Sequence, residues 1–205
     1  MSWNEDLAKE IAKGIINTGI EGPFDTVVKS TAYDYPSIGV SCWEGRRAND
    51  LLRNIPGGEE FINRNYINIQ ASGELPMLKE LLASEAGQRA QLDMLAHDCL
   101  QYVEALQQVP TLDDTRCLIY AGMWCPTSLW VVKHFLQNRY MNYNLRSLQE
   151  LNRMFKNHYW IAADVGEMYR AGYANRADIT YQYVAGIDLT TPYGVPAYGY
   201  AGNGR

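Results

Sequence analysis

The chain has 205 residues, 47% of them apolar and 20% charged. It can bury a hydrophobic core without metals or disulfides and fits one domain with a short appendage. Its formal net charge of −5 excludes a protein that works mainly by gripping phosphate backbones or by general adhesion to an acidic envelope, which leaves recognition to a shaped groove. No run approaches the ~18 apolar residues of a membrane span, so no membrane insertion is expected. The acidic start, Met1-Ser2-Trp3-Asn4-Glu5-Asp6, is unlike a secretory signal, and synthesis in a cytoplasm is expected.

Ser2 and Glu5 form an S-x-x-E capping box that opens the first helix. Leu7, Ala8, Ile11, Ala12, Ile15 and Ile16 recur at helical spacing and make one apolar face. Gly19, Gly22 and Pro23 end the helix, so Glu21 falls just beyond its C-terminal end. Residues 23–43 read differently: Val27-Val28 and Ser37-Ile38-Gly39-Val40-Ser41 suit short strands separated by a turn-rich stretch. Helical patterning returns over 46–53, stops at Pro56-Gly57-Gly58, and breaks again near Ser72-Gly73.

The middle is helical, with segments expected over 75–86 and 88–108, the latter closed by Pro110. Thr111 to Asp114 starts a helix whose consecutive Leu118, Ile119 and Tyr120 suit burial on all sides. Trp124-Cys125-Pro126-Thr127 interrupts it. Helix resumes over 128–138 and 145–158, with more expected within 162–185. From Gly186 the composition turns to Tyr, Gly and Pro, an irregular tail over 186–205. The fold class is therefore α+β, mainly helical, with a small β-hairpin or sheet after the first helix.

Cysteines stand at 42, 99, 117 and 125, with no C-x-x-C pair and no His at zinc-site spacing. They are expected to be free thiols, and neither a metal nor any other cofactor is expected.

Glu21-Gly22 is followed, sixteen residues after Glu21, by Ser37-Ile38-Gly39-Val40, then Trp43-Glu44-Gly45 and Arg47-Ala48-x-x-Leu51-Leu52. Downstream come Gly87-x-x-Ala90-Gln91 with Asp98 and Tyr102, then Asp114-Thr115-Arg116 before Leu118-Ile119-Tyr120. Ser128-Leu129-Trp130 and a late Tyr173-x-x-Arg176 complete the series. In order and spacing this arrangement resembles the glycosyl hydrolase domain of phage peptidoglycan hydrolases in the lysozyme superfamily, a group that includes the glycosidase domain of a streptococcal phage lysin. The resemblance spans roughly residues 10–185.

The resemblance implies a lysozyme-like glycoside hydrolase domain over residues 1–185. Its partner is the glycan strand of peptidoglycan, cut at the muramidase-type β-1,4 bond with Glu21 as general acid, and nucleic acid is not a partner. Glycoside hydrolysis needs a carboxylic acid that stays protonated near neutral pH, and withdrawal from water or a helix's negative end favours that form. Glu21 stands at such a position. A second carboxylate is expected from Asp34, Asp25 or Glu44. Ser37, Trp43, Glu44, Arg47, Tyr120 and Trp124 are the candidate substrate contacts. Trp43 and Trp124 suit either sugar stacking or core packing. Gln91, Asp98 and Tyr102 share a helix face that suits a buried hydrogen-bond network better than a glycan groove.

The chain also departs from the family pattern, with Ala32 where relatives carry an acid and with Cys42 and Glu44 flanking Trp43. It also lacks an acid after Tyr120. Three alternatives follow on the same fold: a lytic transglycosylase, a glucosaminidase, or an inactive virion protein. The expected place of work is the bacterial cell wall, reached by holin-dependent release or as part of a phage virion.

Overall fold

The computed structural model of the chain describes residues 3–30, 33–138 and 142–189. It is mainly helical, with helices α1 (Trp3–Thr18), α2 (Gly45–Arg53), α3 (Tyr66–Ala71), α4 (Leu75–Ala83), α5 (Glu85–Leu106), α6 (Thr115–Gly122), α7 (Leu129–Gln137), α8 (Leu148–Ala162) and α9 (Arg170–Ala185). The sheet is one antiparallel pair, β1 (Val27–Lys29) and β2 (Pro36–Ile38), with Val27 opposite Ile38 and Lys29 opposite Pro36. The α+β reading with a small hairpin after the first helix is what is found. Among the described residues no helix is long and apolar enough to cross a membrane.

The chain forms two compact units. One comprises the residues up to Ile20 and those from Asp98 onward; the other is Glu21–His97. Of the expected tail, residues 186–189 follow α9 without regular structure and 190–205 lie outside the described residues. Ser2, half of the expected capping box, lies outside them too.

In the first unit, α1 buries Leu7, Ala8, Ile11, Ala12 and Ile15 along the stripe that its periodicity foretells. It packs with α6 and α9, while α8 packs against α9, α6 and α7. Asp114 caps α6 by accepting the Cys117 N–H at 3.0 Å, and Ser128 caps α7 in the same way through Val131. The expected start of α6 at the acidic pair is thus set by the second aspartate. Asp113 instead forms a bidentate pair with Arg146, which holds its carboxyl below the usual range.

The second unit places the hairpin beside α2 and packs α4 with β1. The break between α4 and α5 differs from expectation. It falls at Ser84, whose hydroxyl accepts the Gly87 N–H at 3.0 Å and so caps α5, whereas the sequence suggested a break at Gly87 itself. Gly87 lies inside α5 because a Cβ there would come within 2.3 Å of the Leu81 carbonyl oxygen. The glycine lets two helices approach closely. It does not end one.

Candidate active site

The Glu21–His97 unit holds most of the residues singled out by sequence. β1 and β2 pair as a hairpin, and the chain then turns at Gly39–Cys42, closed by the Cys42 N–H donating to the Gly39 carbonyl at 3.1 Å. Trp43 returns to pair with Ile38 through two 2.9 Å backbone bonds. Cys42 takes a left-handed conformation, φ 47°, which costs a residue with a Cβ ~1–2 kcal/mol. In that conformation its thiol donates to the main-chain carbonyl of Glu21 at 3.3 Å. The main chain at Glu21 is thereby tied to the loop that carries Ser37 through Trp43, and Glu21 is half-buried.

Gln91 organises the underside of this loop. Its side chain, fully buried, accepts the Val40 N–H at 3.0 Å and donates to the carbonyls of Leu82 at 2.9 Å and Phe24 at 3.2 Å. One amide therefore satisfies a loop donor and two main-chain acceptors. Gly39 makes this possible. It has φ 73°, and a Cβ there would sit 2.5 Å from the Gln91 amide oxygen. The expectation that Gln91 serves a hydrogen-bond network agrees with this geometry. Asp98 is buried and Tyr102 half-buried on the same helix, in the part of α5 that belongs to the first unit.

Glu44 and Ser37, both candidate substrate contacts, are bonded to each other. The Glu44 carboxylate accepts from the Ser37 hydroxyl and, at 3.0 Å, from that of Ser30. Ser30 also receives the Tyr33 N–H and donates its own N–H to the Tyr35 carbonyl. Ser30, which the sequence reading did not pick out, thus links both arms of the hairpin to Glu44. In this structure the Glu44 carboxylate, bonded to the hydroxyls of Ser37 and Ser30, braces the hairpin. Trp43 is 5% exposed and packs behind Gly39, so it serves the core and offers no face to a sugar.

Asp25 is half-buried in the turn after Pro23. Asp34 is exposed and pairs with Lys29 at 3.3 Å, and its main-chain carbonyl accepts from Tyr66 at the start of α3. Ala32 lies outside the described residues. Arg47, in the first turn of α2, lines a cleft of about 540 Å³ together with Asp50, Asn54, Arg89, Asp93 and His97. Glu21, Asp25 and Asp34 are not among the residues lining it.

Tyr120 and Trp124 belong to the other unit, and both are 0% exposed. Trp124 packs on Phe155 at 4.7 Å between centroids, on Tyr159 at 4.8 Å and parallel to Tyr173 at 6.0 Å, with the Arg176 guanidinium 5.0 Å from its ring. The Tyr120 hydroxyl donates to Asn152, and burial pushes its pKa well up. Of the two readings held open for Trp124, the geometry is that of packing. Tyr120 is likewise corrected from substrate contact to core. The late Tyr173-x-x-Arg176 step belongs to this same cluster.

Cys99, Cys117 and Cys125 are buried free thiols whose pKa values burial raises, while Cys42 is half-buried. Among the described residues no group of three or more His, Cys, Asp or Glu side chains could hold a metal ion. The cleft residues Arg89, Asp93 and His97 escaped the sequence reading. Their signal was the spacing of four along α5, which puts three charged or titratable side chains on one stripe.

No family model, characterised protein or solved structure matches this chain.

Proposed function

We propose that the chain is a lysozyme-like peptidoglycan hydrolase that cleaves the muramidase-type β-1,4 bond of the glycan strand, with Glu21 as general acid. The observation that carries this reading is the bond from the Cys42 thiol to the Glu21 carbonyl. It ties the candidate acid, distant by twenty-one residues, to the loop whose Ser-Ile-Gly-Val and Trp-Glu-Gly steps carry the family resemblance. Supporting it, Glu21, Asp25, Asp34, Ser37, Trp43, Glu44 and Arg47 all fall in one compact unit.

In this mechanism Glu21 donates its proton to the glycosidic oxygen as the bond to the sugar's anomeric carbon breaks. A second carboxylate stabilises the oxocarbenium-like state or activates water. Asp34, water-exposed beside the Lys29 ammonium on a loop pinned by Ser30 and Tyr66, suits a charged stabiliser best, with Asp25 the other candidate. The Gln91 amide and the Glu44–Ser30–Ser37 bonds hold the loop and leave the chemistry to others, since a site must be kept to within about 0.5 Å to act. On this reading the protein acts at the bacterial cell wall.

The test is clearing of a peptidoglycan suspension by purified protein. Glu21→Gln should lower the rate ~10³-fold, within the range of a positioned general acid, while leaving the melting temperature unchanged. Equal clearing by wild type and Glu21→Gln would remove Glu21 from the chemistry.

A further inference from the structure

Ser30 carries no chemistry of its own in the proposed reaction, yet it is 5% exposed and its polar groups meet separate parts of the chain. Its hydroxyl donates to the Glu44 carboxylate at 3.0 Å and accepts the Tyr33 N–H at 3.3 Å. Its own N–H donates to the Tyr35 carbonyl at 3.0 Å. The residue between those two tyrosines is Asp34, whose main-chain carbonyl accepts the Tyr66 N–H at 2.8 Å. Tyr33, Asp34 and Tyr35 therefore each have a main-chain group bound, and both tyrosines are bound to the same buried serine.

The anchor behind Ser30 is firm. Glu44 immediately precedes α2, and its carbonyl accepts the Arg47 N–H at 3.0 Å and the Ala48 N–H at 3.3 Å. Its carboxylate also accepts from the Ser37 hydroxyl on β2, so the helix holds its main chain and the sheet its side chain. A hydroxyl that donates to a carboxylate becomes a better acceptor, because bonds in a chain polarise one another. The bond from the Tyr33 N–H is strengthened in this way by a charge it does not touch. One line of support thus runs from the start of α2 through Glu44 and Ser30 to the peptide groups around Asp34.

The Asp34 side chain is in the opposite situation. It is 64% exposed and meets the Lys29 ammonium at 3.3 Å. An exposed ion pair is weak and does not by itself hold a carboxylate in one place. An aspartate carboxylate is set by two torsions from its main chain, so fixing that main chain confines it to a few rotamers. A carboxylate that stabilises a developing charge must be held to within about 0.5 Å to act. We infer that Ser30 is the positioning residue for Asp34 as second carboxylate, an inference that rests on the glycosidase reading. Ser30 bears on the rate through Asp34 alone.

A double-mutant cycle on the release of soluble fragments from purified peptidoglycan tests this, because the effect of a positioning residue disappears with the residue it positions. In the otherwise wild-type chain Ser30→Ala should lower kcat about 10²-fold, the cost of a misplacement near 1 Å, with the half-saturating peptidoglycan concentration unchanged. The same substitution added to Asp34→Asn should cost about twofold at most. Should Ser30→Ala lose its melting transition, Ser30→Cys keeps the size, weakens both side-chain bonds and takes its place in the cycle. An equal loss with and without the Asp34 carboxylate, no loss on Ser30→Ala, or wild-type rates in Asp34→Asn overturns the inference and leaves Glu21 as the acid. No release of fragments by the wild-type protein overturns the glycosidase reading, and this inference with it.

Discussion

In the Glu21–His97 unit directed polar bonds fix the chain: the buried Gln91 amide holds the main chain at Val40, Phe24 and Leu82, while the half-buried Glu44 carboxylate holds the hydroxyls of Ser30 and Ser37. In the unit built from α1 and the chain beyond Asp98 the centre is aromatic, with Tyr120, Trp124, Phe135, Phe155 and Tyr159 packed at centroid distances of 4.7–6.4 Å. Rings are tolerant of small shifts and bury large areas, so they stabilise without fixing one atom's place. An amide with three directed bonds fixes position. The contrast locates precision in the unit that carries Glu21 and bulk stability in the other.

The contrast breaks most visibly at Trp124. Trp124→Ala removes the ring at the centre of the aromatic cluster and should cost ~3–5 kcal/mol, a fall of about 10 °C in a calorimetric melt. A variant with wild-type melting would mean that the ring is not packed as described.

A smaller effect on stability, but a sharper one on activity, is expected at Gln91. Gln91→Leu keeps the volume and orphans the Val40 N–H with two carbonyls, at ~2–3 kcal/mol. Because the loop tied to Glu21 loses its support, glycan cleavage should fall well beyond what the lost stability explains when assayed far below the melting temperature. Trp124→Ala, assayed under the same conditions, should keep most of its activity.

How much of this was readable beforehand follows from range. Helix positions in the first unit were legible because their apolar stripes and caps, such as Leu7 to Ile16 or Asp114, are local signals. The α4–α5 break was misplaced because a glycine inside a helix and a glycine ending one look alike until the Leu81 carbonyl beside Gly87 is known. The candidate site was legible as an ordered set of residues on one stretch of chain, but not as geometry. The contacts that build it, Cys42 to Glu21 and Gln91 to Val40, span 21 and 51 positions. Nor does composition separate a tryptophan facing sugar from one facing phenylalanine, so the surroundings of Trp43 and Trp124 are not legible in the sequence.

The smallest expected effect lies at the edge of the polar unit. The Arg64 guanidinium, with help from the Ser72 hydroxyl, holds the Glu74 carboxyl down to about 2 from an ordinary 4.5. A depressed carboxyl stabilises the fold fully above its ordinary value and loses that contribution as pH falls from about 4.5 through about 2. Glu74→Gln should therefore melt slightly below wild type at pH 7, and the gap should close on acidification across that window. A gap that stays constant with pH would remove the ion pair from the account.

Mass spectrometry of the fragments released from purified peptidoglycan tests the central claim most directly. Wild-type protein should yield products ending in reducing N-acetylmuramic acid, and Glu21→Gln should yield none above background. Fragments ending at N-acetylglucosamine, anhydro ends, or identical products from both proteins would contradict a muramidase acting through Glu21.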